Sequence, residues 1–121
     1  IEATNIRYQD WTARKEVAGN EPFLRIYLEL KPSENISIHE CENRLDLQLS
    51  RMISEYKELK QILQKTPLKV SFINPGSFDS YMKAKQEEGA DLAHIKPPHM
   101  QASDQVMNRL LEFGGVASKA L

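Results

Sequence analysis

Alternating apolar and polar residues predict strands in the N-terminal part of the chain and again near its middle. The clearest alternation runs over residues 23–31. Its aliphatic positions are Leu24, Ile26, Leu28 and Leu30. Because successive side chains of a strand point to opposite faces of a sheet, this set predicts a face turned towards the core. Alternation at residues 11–17 and turn-forming residues at 18–22 predict an antiparallel hairpin, and residues 68–73 predict a third strand.

Apolar residues spaced three or four apart predict helices elsewhere in the chain. A long helix is predicted from Ser37, where the capping pattern S-x-x-E begins, to about residue 64. Its apolar stripe consists of Ile38, Cys41, Leu45, Leu49, Met52, Tyr56, Leu59 and Leu63. After the third strand we expect a helix that Ser77 caps and Gly89 ends, and then a last helix that Ser103 caps.

The predicted order of elements is β-β-α-β-α-α, with an extended loop between the last two helices. A small sheet of about three strands, mainly antiparallel, is covered by the long helix and by the shorter helices. The fold class is therefore α+β. We expect residues 1–121 to form a single domain, because a chain of 121 residues suits one hydrophobic core.

Composition restricts the expected partners and location of the protein more than it restricts its function. The formal net charge of −1 gives no general attraction to nucleic acid or to an anionic membrane, and we expect neither as a partner. No apolar run approaches the roughly 20 residues that span a bilayer. Cys41 is the only cysteine, which excludes an internal disulfide and fits a reducing, cytoplasmic location.

Signatures of a self-contained active site are absent from the sequence. There is no phosphate-binding loop of the form G-x-x-x-x-G-K-[ST], no G-x-G-x-x-G, no H-E-x-x-H and no G-x-S-x-G. The first residue is Ile1 rather than methionine, which is expected of a processed chain or of a piece of a longer protein, and we favour the second. Such a piece, separated from a larger domain, is predicted to expose an apolar patch near the hairpin.

The loop before the last helix presents Lys96. Pro97 disfavours helical backbone at Lys96, and Pro98 does the same at Pro97, so the lysine is predicted to lie on a stiff, extended spur. An ammonium group there suits a point-charge role towards a phosphate or carboxylate brought from elsewhere. On the residues alone, a solvated loop lysine without a function is the commoner interpretation.

The other candidate residues favour structural roles. His94, His99 and Asp91 could contribute to a metal site, but their spacing matches no standard ligand set, and plain loop residues are the favoured interpretation. Cys41 lies on an apolar stripe and is predicted to be a buried small hydrophobe rather than a reactive thiol. Trp11 and its neighbouring aromatic residues could stack on a base, but sheet packing is favoured.

Several segments resemble the C-terminal region of the plant auxin-responsive acyl acid–amido synthetases, which belong to the adenylate-forming superfamily. G-S-F-D-S-Y-M at residues 76–82 resembles the family's G-T-F-x-x-L/W-M, and the glycine at residue 89 follows at the family's place. H-I-K-P-P-H at residues 94–99 resembles its Q-x-K-[IV]-P-R. F-L-R-I-Y-L-E-L at residues 23–30 resembles its strand Y-V-L-Y-W-E-L. The resemblance covers nearly the whole chain in the same order.

The resemblance implies a mobile C-terminal lid that is inactive alone. In the family, a large N-terminal adenylation domain binds ATP with Mg²⁺ and an acyl acid, and forms an acyl-adenylate with release of pyrophosphate. The lid then rotates, and the amine of an amino acid attacks the adenylate to form an amide. The partners implied are therefore that domain, the acyl acid and the amino acid, and the isolated chain is expected to bind no cofactor.

The resemblance also assigns roles to individual residues. Lys96 matches the motif lysine and is the implied catalytic residue. His94 and His99 stand where the family has glutamine and arginine, and they are the implied substrate or nucleotide contacts. A histidine lacks the permanently charged, bidentate fork of arginine. The rival hypothesis is a non-catalytic α+β interaction or regulatory domain, whose sheet or long helix docks a partner.

Overall fold

A three-stranded sheet forms the centre of the protein, which we describe as a computed structural model over residues 1–91 and 95–114. Strand β1 (Tyr8–Ala18) pairs antiparallel with β2 (Glu21–Leu30), and β2 pairs parallel with β3 (Leu68–Phe72). The sheet order is β1-β2-β3. The third strand runs parallel because a helical crossover carries the chain back to the same end of the sheet. Most of the pairing is antiparallel, as predicted.

Four helices in the described ranges cover the two faces of this sheet. A short 3-10 helix (Glu2–Thr4) precedes β1. The helices are α1 (Ile38–Met52), α2 (Ser54–Leu63), α3 (Ser77–Glu87) and α4 (Asp104–Gly114). The α+β class and the predicted β-β-α-β-α-α order are confirmed, with the long helix divided in two. Across the described part of the chain, no helix has the length and apolar character needed to cross a bilayer.

The predicted aliphatic face of β2 lies in the larger of two cores. Ile26 and Leu28 pack there with Val70 and Phe72 of β3 and with Cys41 and Leu45 of α1. The opposite face of the sheet builds a second core under α3 and α4, which the alternation of β2 did not predict. Its buried members are Tyr27, Ile73, Phe78, Tyr81, Ala102, Met107 and Leu110.

The predicted single long helix is wrong, because the chain breaks at Ile53. This residue has extended dihedral angles of φ −128° and ψ 108°. Asp46 accepts hydrogen bonds from the Tyr56 hydroxyl at 2.7 Å and from Lys60 Nζ at 2.5 Å. In an unbroken helix, residues 46 and 56 would lie about 15 Å apart along the axis, so the break is what allows this contact. Met52, a predicted stripe residue, is left 74% exposed.

Of the four residues predicted to cap or end a helix (Ser37, Ser77, Gly89 and Ser103), three are confirmed in that role. The Ser37 hydroxyl accepts the Glu40 N–H at 3.1 Å at the start of α1, and the Ser103 hydroxyl accepts the Val106 N–H at 3.2 Å at the start of α4. Gly89 has a φ of +80° directly after α3. The Gly89 and Ala90 amides then donate to carbonyls of the last turn, which satisfies groups that a helix end leaves unpaired.

The predicted capping of α3 by Ser77 is wrong. The Ser77 hydroxyl donates to the Asn74 carbonyl at 2.7 Å instead of accepting an amide. The cap comes from β2, where the Glu29 carboxylate accepts the Gly76 N–H at 2.9 Å and the Phe78 N–H at 3.0 Å. A carboxylate at a helix N-terminus satisfies free amides and interacts favourably with the helix dipole. Glu29 is only 4% exposed, and these bonds compensate the burial of its charge.

A charged network lies on the α4 side of the sheet, towards the hairpin. Glu16 receives hydrogen bonds from Arg14 at 3.0 Å, from Arg25 at 2.8 Å and from the Tyr27 hydroxyl at 2.9 Å. Arg25 also donates to the Ser71 hydroxyl at 2.8 Å. Desolvation raises the pKa of Glu16, but the three hydrogen bonds together lower it below its ordinary value.

The predicted apolar patch near the hairpin is not found among residues 1–91 and 95–114. The exposed large hydrophobic residues there are Val17, Leu47, Met52, Ile53, Ile62 and Met100. Of these, Val17 alone belongs to the hairpin. Its neighbours at the exposed end include Lys15 and Glu21, whose charges keep that surface polar.

Candidate functional site

The loop that carries Lys96 is fastened to the outer edge of β1. Ala13 donates its N–H to the His99 carbonyl at 2.6 Å and accepts the Gln101 N–H at 2.7 Å. The Thr12 hydroxyl donates to the Pro98 carbonyl at 2.5 Å. These bonds place residues 98–101 alongside the strand as a short parallel bridge. The predicted spur is therefore a segment held against the sheet rather than a free projection, and it covers an otherwise open strand edge.

Lys96 forms an ion pair with Asp10 of β1. Its Nζ lies 3.4 Å from Asp10 Oδ2. The lysine side chain is 49% exposed, whereas the Asp10 side chain is 11% exposed. The other carboxylate oxygen, Oδ1, accepts the Trp11 N–H at 2.9 Å. The ammonium group thus lies at the surface beside a fixed, nearly buried carboxylate.

A bulge in β1 aims Asp10 towards this position. Tyr8 pairs with Leu30, but Asp10 pairs with Glu29, so Gln9 is an extra residue in the strand. A bulge reverses the alternation of side chains beyond it and turns the next residue to the other face. The sequence carries the corresponding signal. The apolar and aromatic residues of the alternating pattern occupy even positions before residue 10 and odd positions after it.

A small cleft lies beside this ion pair. It has a volume of about 290 Å³, and its walls include Asp10, Glu29 and the first residues of α3. Glu29 is already engaged by two backbone amides of α3. Two other carboxylates of the cleft are paired with side-chain cations, Asp10 with Lys96 and Asp79 with Lys83. Sequence reasoning assigned Asp10 no role.

His99 fastens the loop through its side chain as well as its backbone. Its ring stacks on the Trp11 indole, with centroids 4.2 Å apart and planes 12° from parallel. His99 Nδ1 lies 2.9 Å from the Trp11 carbonyl, which can only accept, so Nδ1 carries the proton. Nε2 makes no hydrogen bond to the protein in the described part of the chain. The predicted nucleotide or substrate contact through His99 stays a prediction.

The remaining candidates give no second site. His94 lies outside the described residues. Among the residues that are described, no group of three or more His, Cys, Asp or Glu side chains could hold a metal ion. Cys41 is fully buried, which confirms its predicted role as a small core residue, and desolvation raises its pKa to about 12. Trp11 packs against the larger core and His99, as predicted for a sheet residue.

The arrangement supplies a single positive charge rather than a complete set of catalytic groups. A lysine ammonium has three donors on a flexible stem and can stabilise an oxyanion without covalent chemistry. The loop backbone is held by β1, while the half-exposed side chain can turn towards or away from Asp10. The chemistry that such a site can supply is therefore electrostatic stabilisation of an anion.

Comparisons with known proteins bear on the family and the fold of the chain. The sequence profile of the GH3 family C-terminal domain matches residues 1–105. A solved structure titled "GH3.15 acyl acid amido synthetase" matches with a TM-score of 0.67 and 22% identity, over 97% of this chain and 20% of that chain. A second, titled "AtGH3.15 acyl acid amido synthetase in complex with 2,4-DB", has a TM-score of 0.56 and 16% identity, over 98% and 22%.

The chain is much shorter than the solved proteins that it matches. It spans about a fifth of the length of the two solved proteins. At these identities, the likeness concerns the fold of the matched region. No curated protein matches the chain.

Proposed function

We propose a function from the premise that this chain belongs to the GH3 family as a C-terminal domain. In the intact protein it is the mobile lid of an ATP-dependent acyl acid–amido synthetase, and alone it is inactive. The observation that carries this proposal is Lys96, a half-exposed ammonium on a loop fastened to the edge of β1. The titles of both solved structures name acyl acid amido synthetases, which supports the same reaction class.

Lys96 acts in the first of two steps. The N-terminal adenylation domain holds ATP with Mg²⁺ and the acyl acid, whose carboxylate attacks the α-phosphorus and displaces pyrophosphate. The ammonium group stabilises the negative charge that collects on phosphate and carboxylate oxygens during this attack. Mg²⁺ and the remaining nucleotide contacts are assigned in this proposal to the N-terminal adenylation domain.

The second step requires the lid to turn away. The amine of an amino acid then attacks the acyl carbon, an amide bond forms and AMP leaves. In the first orientation, the exposed Nε2 of His99 can contact the nucleotide or the substrate while Nδ1 keeps the loop on Trp11. His94 is the second proposed contact of this kind. The whole enzyme is proposed to work in the cytoplasm.

Substitution of Lys96 tests the proposal in the intact protein. Lys96→Ala should lower ATP–pyrophosphate exchange about a hundredfold, because one preorganised donor to a developing oxyanion is lost. Lys96→Arg keeps the charge but changes its shape, and should recover part of the rate. Lys83→Ala is the matched control, since Lys83 is an exposed α3 lysine paired with Asp79 at 3.2 Å.

The unfolding temperature and the Lys83→Ala control make this test specific for Lys96. The unfolding temperature should change little in these variants, because Lys83 is largely exposed, Lys96 is half exposed, and ion pairs of such lysines contribute little to stability. Full exchange activity in Lys96→Ala would refute the assigned role. An equal loss in Lys83→Ala would also refute it, since a general effect of removing a lysine would then explain the result.

A further inference from the structure

We infer that Asp10 is a positioning residue that withholds Lys96 from the nucleotide site until a nucleotide competes for it. This inference rests on the proposed function of Lys96. Its basis is the 3.4 Å ion pair between Lys96 Nζ and Asp10 Oδ2 at the outer edge of β1. An ammonium held by a carboxylate is not free to neutralise a phosphate elsewhere.

Asp10 and the Lys96 loop belong to one rigid unit. Asp10 is a residue of β1, and the loop is hydrogen bonded to Thr12 and Ala13 of the same strand. When the lid rotates, this carboxylate therefore travels with the lysine. The Lys96 ammonium can therefore move between Asp10 and a nucleotide by rotation of its own side chain, while the loop backbone stays in place.

The two partners of the pair differ in freedom. Asp10 is oriented by the β1 bulge and by the Trp11 N–H, and its side chain is 11% exposed. Lys96 is 49% exposed and has no second carboxylate in the described ranges within ion-pair distance. A half-exposed pair of this kind is weak, so a triphosphate can displace Asp10 from the ammonium. The carboxylate keeps the lysine in reach without fixing it permanently.

The two oxygens of Asp10 separate its structural contact from its contact with Lys96. Oδ1 accepts the Trp11 N–H, whereas Oδ2 faces the ammonium. Asparagine retains an oxygen for the Trp11 bond and removes the negative charge. Asp10→Asn is therefore the variant that releases Lys96 and keeps β1 intact.

Pyrophosphate exchange in the intact protein tests the competition. Asp10→Asn should lower KM for ATP about two- to fivefold, which is the range that a partly exposed ion pair provides. In a Lys96→Ala background the same substitution should change nothing. Asp79→Asn is the control, because it removes the charge from the Lys83–Asp79 pair, 3.2 Å apart and exposed. An unchanged or raised KM in Asp10→Asn would overturn the inference.

A second readout is independent of the reaction. The rate at which an amine-reactive reagent labels Lys96, measured by mass spectrometry, should rise in Asp10→Asn and stay near the wild-type rate in Asp10→Glu. Unchanged labelling in Asp10→Asn would overturn the inference even if Lys96→Ala abolishes exchange. Faster labelling with an active Lys96→Ala would instead refute only the proposed function. Unfolding of Asp10→Asn would overturn the inference, since the role of Asp10 would then be structural.

Discussion

Single residues hold this domain together where charge has to be buried. Glu29 places a carboxylate under the start of α3, and each of its oxygens accepts a backbone amide. The Glu16 carboxylate accepts hydrogen bonds from the side chains of Arg14, Arg25 and Tyr27. The donors to Glu29 lie far along the chain, whereas those to Glu16 come from its own strand and from the next strand of the hairpin. The sequence alone does not show the Glu29 contacts, because hydrogen-bond partners that far apart leave no local pattern.

Glu16 predicts a pH dependence of stability. Its folded-state pKa lies below the ordinary value of 4.5, so the unfolded chain binds the proton more tightly. The stabilising contribution is therefore complete above pH 4.5 and is lost as the pH falls through the folded-state pKa. Chemical unfolding should give a wild-type advantage of about 1–2 kcal/mol over Glu16→Gln at pH 7, and a smaller one at pH 3.

The comparison with Glu16→Gln is needed because other carboxylates also titrate in this range. The pKa values of Glu34 and Glu88 are lowered too, and subtraction of the variant removes their shared effect. An advantage of the same size at pH 7 and pH 3 would show that the charge of Glu16 contributes nothing.

At the scale of elements, local signals predicted what local physics decides. Ser37, Ser103 and Gly89 mark helix ends through contacts with the adjoining turn, and all three are found there. The Ser77 prediction failed because Gly76 occupies the N-cap position, and the first-turn amide of Phe78 donates to Glu29. The prediction of one unbroken helix across Ile53 failed for a similar reason. No proline or glycine marks it, and it is accompanied by bonds from Asp46 to α2.

The end of α3 offers a test of one local signal. Gly89 has a φ of +80°, and a Cβ at this position would meet no atom within 4 Å. Gly89→Ala should therefore lower the free energy of unfolding by about 1 kcal/mol, through backbone strain alone. Gly89→Asn should cost less, because asparagine tolerates the left-handed region better. Equal losses in the two variants, measured by urea unfolding, would indicate a steric clash instead.

At the scale of the whole molecule, the mixed sheet with helices on both faces explains how Lys96 is presented. The predicted class and order of elements are correct because they depend on periodicity within each segment. The second core and the docking of residues 98–101 on β1 depend on contacts between segments, and these could not be predicted from the sequence. Lys96 was identified from a motif, whereas Asp10 became visible only once the loop was placed.

The described surface does not carry the apolar patch that was predicted near the hairpin. The exposed large hydrophobic residues of the described part are scattered over β1, α1, α2 and the loop, and the hairpin end is charged. This surface therefore adds no support to the expectation that the chain was separated from a larger domain.

The proposed entry of Lys96 into the nucleotide site can be measured directly in the intact protein. The measurement is the labelling rate of Lys96 by an amine-reactive reagent, with and without ATP and Mg²⁺, with Lys83 in the same sample as the reference. Nucleotide should slow the labelling of Lys96 several-fold and leave the labelling of Lys83 unchanged. Equal rates for Lys96 with and without nucleotide, in protein that binds ATP, would refute the proposed role of Lys96.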